Sequence, residues 1–303
     1  MPVVVIGAIF VDLKGYPNDV YIPGGRNSGY IETVHGGVAR NIAEDLANIG
    51  QSVRFISLTD PTGTGADVVE HLKRRGIDTR FIPSMPGGMG TWLAVFDEQG
   101  DVTAAISSRP NLVPLREMLL RSGDDIFSDA QAILLEMDLD RELWDIVLQY
   151  AEKYHLPIYA ATSNISIAAQ KKDLLKKTAL FVCNLQEAEL LFERDLSHVS
   201  EGELPPLLAE CASDLGIRQF IATMGEKGSC YVSPSDSGSC PAVPVDVIDT
   251  TGAGDAFFSG ACAALIDGKS PAEGCRFASK IASLVIATKE NVCPVLQKDG
   301  LSI

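Results

Sequence analysis

Short apolar, mostly β-branched runs alternate with segments of helical periodicity along most of the chain. Strands that alternate with helices form βαβ units, which build a parallel sheet with helices on its faces. The sequence therefore predicts an α/β fold with a doubly wound, mostly parallel sheet. The expected strands are residues 3–6, 53–57, 132–135, 157–160, 180–182 and 219–222, and the clearest helices are residues 38–49, 66–75 and 142–154.

Two insertions interrupt this alternation. Residues 13–35 are rich in turn-forming glycine and proline, and residues 90–107 contain two apolar runs around the polar segment DEQGD, which indicates a hairpin. We expect the two to form one small antiparallel sheet that covers the body as a lid. The body would then comprise residues 1–12, 36–89 and 108–303. Two separate surface hairpins are the alternative interpretation.

Charge and apolar content exclude several classes of protein. The chain has 25 basic and 40 acidic residues, a net charge of −15, which repels nucleic acid and anionic membrane surfaces. The apolar stretch 3–11 is too short to span a bilayer, and no basic residue precedes it as in a secretory signal. The seven cysteines include no CxxC pair, so we interpret them as reduced packing groups. We expect a cytoplasmic protein with no nucleic-acid or membrane partner.

The segment 245–261 carries the clearest chemistry. A strand-like run ends in a turn of small residues that opens into an apolar helix, and Gly252 and Gly254 leave the main chain accessible there. N–H groups at a helix start bind anions. Asp255 would repel an anion, so we interpret it as a base that accepts a hydroxyl proton while the amides stabilise a transferring phosphoryl group. The alternative is an ordinary acidic residue favoured by the helix dipole.

Residues 249–257 (DTTGAGDAF) resemble the C-terminal signature of the ribokinase-like, or PfkB, carbohydrate kinases. The N-terminal signature of that family is matched by residues 36–43 (GGVARNIA). The two signatures occur in the family's order, and the similarity extends from Val3 to about Pro294. The resemblance implies an ATP-dependent phosphotransferase with an alcohol acceptor, which uses Mg²⁺ and, in many members, K⁺.

The resemblance also implies roles for individual residues. Asp255 is similar to the catalytic base that deprotonates a sugar hydroxymethyl group, and Gly252, Ala253 and Gly254 resemble the anion hole. Substrate hydroxyls are expected near Asp12, Gly37, Asn41 and Glu136. ATP is expected at Asn184, Thr223, Gly225 and Gly228, Mg²⁺ at Glu187 through water, and K⁺ at Asp249 and Thr251, in a loop closed by residues 288–292.

Each of these residues also has a purely structural interpretation. Asp12 could cap a turn, Glu136 could be a solvated strand end, and Asn184 could simply begin a helix. The joint occurrence of all three at the family's spacing favours function.

The chain departs from the family pattern at three places: Phe10 replaces a usual asparagine, Asp60 lies in an altered Gly-x-Asp stretch, and Ala161 replaces a carboxylate of the metal network. A catalytically weak sugar or nucleoside sensor of the same fold therefore stays an alternative. An oxidoreductase is disfavoured, because residues 7–12 lack the Gly-x-Gly-x-x-Gly pattern.

Within the family, residues 36–44 and 291–296 look most like the pseudouridine kinase branch. A nucleoside would suit the aromatic face of Phe10, and Arg40 could donate to a base carbonyl. Ribokinase, fructokinase and other nucleoside kinases are the near rivals. A homodimer that pairs through the lid is a further expectation.

Overall fold

The computed structural model describes residues 1–162 and 164–296, and residue 163 and residues 297–303 of the predicted body lie outside the described residues. The strands are β1 Val3–Ile6, β2 Phe10–Pro17, β3 Gly29–Gly36, β4 Val53–Ile56, β5 Asp78–Phe81, β6 Gly90–Phe96, β7 Val102–Ser108, β8 Ala132–Glu136, β9 Ile158–Ala161, β10 Leu180–Asn184, β11 Phe220–Thr223, β12 Ser229–Val232 and β13 Ser237–Cys240. The helices are α1 Val38–Asn48, α2 Gly63–Arg74, α3 Val113–Phe127, α4 Arg141–Tyr154, α5 Ile165–Ala169, α6 Lys172–Leu175, α7 Leu185–Phe192, α8 Leu204–Asp214, α9 Ala253–Ile266 and α10 Pro271–Ile286.

The larger sheet confirms the predicted doubly wound architecture. Over the described residues its strand order is β13-β12-β11-β10-β9-β8-β1-β4-β5. All neighbouring pairs from β11 to β5 are parallel, and β12 and β13 add an antiparallel edge. Strand β1 lies between β8 and β4, as its uninterrupted apolar sequence predicts for a strand covered on both faces.

Each face of this sheet is covered by its own hydrophobic core. Val4 and Ile6 of β1 pack on one side with Trp144 of α4, and Val3 and Val5 pack on the other with helices α1 and α9. The alternation follows from the period of two along a strand. Because the sheet is covered twice, the carboxyl ends of its strands are the places left open for a ligand.

The second sheet unites the two insertions, as predicted. It has the strand order β3-β2-β6-β7, and it consists of two antiparallel hairpins joined by a parallel pair between β2 and β6. Strand β2 begins at Phe10 and β3 ends at Gly36, so the expected lid limits, 13 and 35, fall inside strands. Phe10, Asp12 and Gly36 are therefore part of this small sheet.

Two further properties bear on the expected class of protein. Nowhere in residues 1–162 and 164–296 is a helix both long and apolar enough to cross a membrane. The seven cysteines are all buried and free.

Candidate active site

Helix α9 begins at a glycine that no other residue could replace without strain. Gly252 is the N-cap and has φ 81°, a left-handed conformation that favours glycine. A Cβ atom on Gly252 would also overlap the carbonyl oxygen of Asn291. The loop that follows α10 therefore lies directly against the start of α9.

The first turn of α9 presents unpaired main-chain donors. Ala253 donates its N–H to the Thr250 carbonyl at 3.2 Å. Within the described part of the chain, the N–H groups of Gly254 and Asp255 have no main-chain carbonyl as acceptor. A Cβ on Gly254 would meet no atom within 4 Å, so the space above this turn is open. Unpaired N–H groups at the positive end of a helix dipole fit a phosphate group.

Asp255 lies beside these donors. Its Oδ2 atom accepts a hydrogen bond from Nδ2 of Asn41, on α1, at 2.7 Å. Burial raises the pKa of Asp255 to about 6, although the Asn41 hydrogen bond and the charge of Arg40 oppose the rise. A carboxyl with this pKa is ionised at neutral pH, and it holds a proton more strongly than an exposed aspartate, which suits a general base.

The Asn41 amide has a second feature of interest. Its side chain is 6% exposed, and its Oδ1 atom is buried without a hydrogen-bond partner among residues 1–162 and 164–296. Since an unpaired buried acceptor is costly, this oxygen is available to a ligand hydroxyl at the side of Asp255.

A cavity of about 180 Å³ brings residues from four elements to Asp255. Helix α7 begins with a capping box, in which Asn184 Oδ1 accepts the N–H of Glu187 at 2.8 Å and Glu187 Oε2 accepts the N–H of Asn184 at 2.9 Å. Burial raises the pKa of Glu187. The lining residues are Ala161, Thr162, Val182, Cys183, Asn184, Glu187, Thr223, Gly254, Asp255 and Phe258.

The cavity thus contains some of the residues predicted for ATP and metal, and not others. Asn184, Thr223 and Glu187 lie with Asp255 and Gly254 around the same space. Gly225 and Gly228 lie instead at the turn between β11 and β12, which includes the 3-10 helix Gly225–Lys227. Asn184 does begin a helix, so its structural and proposed functional roles coincide.

Glu136 is buried, which excludes the alternative of a solvated strand end. It is 6% exposed at the end of β8, and its Oε1 atom accepts the N–H of Ala39 in the first turn of α1 at 2.9 Å. Burial raises the pKa of Glu136 to about 8, and the nearby charges of Asp138 and Asp255 add to the rise. Gly37, the N-cap of α1, has φ 99° and lies against Ala8, so this turn too requires glycine.

Asp12 and Phe10 lie on strand β2 of the small sheet. The Asp12 carboxylate packs over Gly36, where a Cβ would overlap it. Burial raises the pKa of Asp12, and Lys14 and Arg40 oppose the rise. The Phe10 ring packs on Gly90 of β6. Both side chains therefore lie next to the strand ends through which the small sheet meets the body.

Arg40 is almost completely buried and already has several partners. Its Nη1 atom lies 2.9 Å from Oε2 of Glu44, and its Nη2 atom donates to the main-chain carbonyl of His35. Its part in substrate binding stays a prediction. Glu44, which holds Arg40 in place, was not predicted as a site residue, although its position four residues after Arg40 is a recognisable signal.

Two of the departures from the family pattern have visible consequences. Ala161 ends β9 and lines the 180 Å³ cavity without supplying a charge. Asp60 Oδ1 accepts the N–H groups of Gly88, at 2.8 Å, and Met89, at 3.3 Å, just before β6. Asp60 therefore anchors the segment that leads into the small sheet.

The expected metal positions differ in what the chain offers. No cluster of three or more His, Cys, Asp or Glu side chains suited to a metal ion occurs in the described ranges 1–162 and 164–296. A single carboxylate such as Glu187 still fits Mg²⁺, which keeps several waters and binds substrate phosphates. In the turn where K⁺ is predicted, Asp249 Oδ1 accepts the N–H of Thr251 at 2.8 Å. Asn291 contacts Gly252, so residues 288–292 lie next to this turn.

Comparison with known proteins adds an independent finding. Residues 2–296 match the sequence model of the pfkB family carbohydrate kinases. A guanosine-inosine kinase of Exiguobacterium acetylicum is 34% identical over 292 residues, which cover 95% of each chain. A pseudouridine kinase of Escherichia coli is 25% identical over 303 residues, which cover 99% of this chain and 94% of the relative.

Solved structures share the fold. A ribokinase of Arabidopsis thaliana complexed with ribose and ATP has a TM-score of 0.81 at 21% identity, and covers 97% of this chain and 96% of its own. A ribokinase of Giardia lamblia has a TM-score of 0.83 at 20% identity, and covers 99% of this chain and 98% of its own. At these identities the likeness concerns the fold alone.

Proposed function

The chain belongs to the PfkB family of carbohydrate kinases, and from this premise we propose that it transfers the γ-phosphoryl group of ATP to the hydroxymethyl group of a nucleoside. Family membership makes it an ATP-dependent phosphotransferase that acts on a sugar or a nucleoside. The observation that carries the proposed phosphoryl transfer is the position of Asp255. Its carboxylate lies between the unpaired donors of the α9 turn and the Asn41 amide, in the cavity that also contains Glu187.

We assign the proton transfer to Asp255. The substrate hydroxyl gives its proton to the carboxylate as its oxygen forms a bond to the γ-phosphorus, and the bond from that phosphorus to the β-phosphate oxygen breaks, which releases ADP. The N–H groups of Gly254 and Asp255 offset the charge on the transferring group, while Gly252 and Ala253 shape the turn. Mg²⁺, held through water by Glu187, would supply further positive charge at the phosphates.

The remaining predicted residues divide between two sides of Asp255. We propose that Asp12, Gly37, Asn41 and Glu136 bind the sugar ring. The Asp12 carboxylate and the unpaired Oδ1 of Asn41 accept hydrogen bonds from hydroxyls, and the Glu136 carboxyl, with a pKa of about 8, carries a proton at neutral pH that it can donate. Asn184, Thr223, Gly225 and Gly228 would lie along ATP, and Asp249 and Thr251 would bind K⁺. The closing of the small sheet over the substrate would exclude water and so limit hydrolysis of ATP.

We propose a purine nucleoside, guanosine or inosine, as the first substrate to test. The support is the 34% identity to the guanosine-inosine kinase, against 25% to the pseudouridine kinase. The aromatic face of Phe10, where relatives have an asparagine, suits a nucleobase. Pseudouridine is the second candidate, because the segments 36–44 and 291–296 resemble that branch.

A substrate panel tests this proposal. ADP release would be measured with ATP and Mg²⁺, with and without K⁺, for guanosine, inosine, pseudouridine, ribose and fructose. We expect the highest kcat/KM for a nucleoside. A preference for ribose or fructose would overturn the nucleoside assignment, and binding of a nucleoside without any turnover would identify a sensor instead of a kinase.

Two expectations about the protein in its surroundings stay predictions. We propose a homodimer that pairs through the exposed face of the small sheet, where Leu93, Ile106 and Ile31 are 39%, 69% and 74% exposed. The cytoplasmic location rests on the sequence alone.

A further inference from the structure

A second and larger cavity, of about 440 Å³, lies between α1, α2, the end of β3 and residues 288–294. It shares no lining residue with the cavity that contains Asp255. We propose that this cavity is a regulatory site for a small phosphorylated anion, such as a sugar or nucleoside monophosphate. We call it the α1–α2 cavity.

The polar centre of the α1–α2 cavity is a carboxylate held by three cationic or titratable side chains. Glu44, 1% exposed, has Oε2 at 2.9 Å from Nη1 of Arg40. Its Oε1 atom lies 2.7 Å from Nε2 of His71 and 3.3 Å from Nε of Arg75. Burial works against ionisation, yet Arg40 and His71 lower the pKa of Glu44. Both carboxylate oxygens are thus occupied, and two guanidinium groups face one carboxylate.

The groups of this cavity that remain free to bind a ligand are mainly hydrogen-bond donors. Among residues 1–162 and 164–296, the Nη atoms of Arg75 have no hydrogen-bond partner, and this side chain is 36% exposed at the opening. A guanidinium fork matches the oxygens of a phosphate. A metal ion or an amine would instead meet positive charge. The concentration of basic groups is also notable because the whole chain has a net charge of −15.

Two histidines also line the cavity. The rings of His35 and His71 lie edge to face at 5.8 Å, and Nε2 of His35 is 3.1 Å from Asp67. Glu290, an exposed residue that also lines the cavity, opposes anion binding. Its charge supplies a variant that should strengthen binding.

Size selects the class of anion. Small-molecule pockets run from roughly 300 to 1,000 Å³, and 440 Å³ falls within that range. Free phosphate would leave most of this volume empty. A monophosphate with a sugar or a nucleoside attached fills it better, and it is the chemical class that the proposed reaction produces. Only this choice of organic group rests on the proposed function.

The α1–α2 cavity is connected to the catalytic residues by short paths. The His35 carbonyl accepts hydrogen bonds from Arg40 and, at 2.9 Å, from Nδ2 of Asn291. Asn291 contacts Gly252, and Asn41, which follows Arg40 on α1, donates to Asp255. The charge of Arg40 also opposes the raised pKa of Asp255. An anion beside Arg40 would offset that charge, so we expect its binding to lower turnover near neutral pH.

Isothermal titration of the full chain with guanosine 5′-monophosphate, without ATP, tests the proposal. We expect two classes of site in the wild type. In Arg75→Gln the affinity of one class should fall by at least about tenfold, because the charged hydrogen bonds to the phosphate are lost. Arg74→Gln is the matched control. Arg74 is the preceding residue, is exposed, and does not line the cavity. Glu290→Gln should tighten the same class of site.

Each outcome decides the inference. Monophosphate binding that Arg75→Gln leaves unchanged would overturn it, as would binding at the Asp255 site alone. Inorganic phosphate, titrated in parallel, should bind the Arg75-dependent site more weakly; equal affinity would overturn the assignment of a phosphomonoester. The titration measures binding without turnover. If the substrate panel contradicts the nucleoside assignment, the titration still shows whether the α1–α2 cavity binds a monophosphate.

Discussion

The carboxylate of Asp255 is tuned by its immediate neighbours. Burial raises its pKa to about 6, while Asn41, at 2.7 Å, and the charge of Arg40 favour the ionised form. The raised pKa gives the carboxylate more affinity for a proton than an exposed aspartate has. The hydrogen bond keeps most of it ionised at neutral pH. Both conditions are needed in a base that must be empty before the reaction and accept a proton during it.

This balance predicts the pH dependence of activity. As pH falls through about 6, Asp255 takes up a proton and the base is lost, so kcat/KM should decline on the acid side. Asn41→Ala removes a hydrogen bond to the ionised form, so the acid limb should move to higher pH. The measurement is kcat/KM from pH 5 to pH 9.

Ser259→Ala is the control for this prediction. Ser259 donates to the main-chain carbonyl of Asp255 and not to its carboxylate, so its removal should leave the acid limb in place. An acid limb that stays unchanged in Asn41→Ala, or one that moves equally in both variants, would contradict the assigned balance.

Some of these residues could be predicted from the sequence, and others could not. Asp255, Asn41 and Gly252 fall within two recognisable signatures, so their positions could be predicted. The unpaired N–H of Asp255 itself, and the use of the Ala253 N–H within the turn, depend on helix geometry that a motif does not specify. The group around Glu44 joins α1 to His71, 27 residues away, and no local pattern indicates such a contact.

At the scale of elements, α1 and α9 act as a pair. Asn41 on α1 donates to Asp255 on α9, and Asn48 on α1 donates to the Cys293 carbonyl at 2.7 Å. The buried Asp45 accepts the N–H of Cys293 at 2.7 Å, and burial raises the pKa of Asp45 well above its usual range. One face of α1 therefore binds both the catalytic helix and the loop that lies against its first turn.

Gly252→Ala tests the fit between that loop and α9. A side chain at φ 81° costs about 1–3 kcal/mol, and the overlap with the Asn291 carbonyl adds to this. We expect a lower free energy of unfolding and a large loss of kcat, because the donors of Gly254 and Asp255 would shift. Thermal unfolding and initial rates measure the two effects.

Gly76→Ala is the matched control for this variant. Gly76 has φ 77°, yet a Cβ there would meet no atom within 4 Å. Gly76→Ala should lower the free energy of unfolding by the cost of the left-handed backbone alone, and it should keep full activity. Equal destabilisation in the two variants, or unchanged kcat in Gly252→Ala, would contradict the role given to the contact.

The elements themselves were predictable to different degrees. The buried parallel strands were predicted from their β-branched runs, since a strand covered on both faces must be apolar throughout. Strand β13, Ser237–Cys240, has the sequence SGSC, which carries no such signal and is ordered by pairing with β12. The parallel pair of β2 and β6 was also not predicted, because it joins two hairpins that are distant in sequence.

At the scale of the whole molecule, the small sheet has an apolar face that lacks a cover within the described chain. Leu13 is paired with Leu93, and Leu93 with Ile106, so the three form one row across the sheet. Ile31 lies in the next row of the same face. A cluster of exposed apolar side chains on one sheet marks an interaction surface, and a second copy of the chain is the proposed partner.

Ile106→Glu tests this dimer. A buried charge at the β7 end of the row should convert the dimer to a monomer in sedimentation velocity. Leu120→Glu on α3 is the control, because Leu120 is 63% exposed, close to the 69% of Ile106, and lies outside the small sheet. A wild type that sediments as a monomer, or a dimer that survives Ile106→Glu, would contradict the proposed interface.

The most direct measurement for the whole account is the rate of phosphomonoester formation from ATP and guanosine or inosine, followed by phosphorus NMR in the wild type and in Asp255→Asn. We predict a product phosphorylated at the hydroxymethyl oxygen, formed roughly two to four orders of magnitude more slowly in the variant, with the thermal stability little changed. Near wild-type turnover in Asp255→Asn would contradict the account.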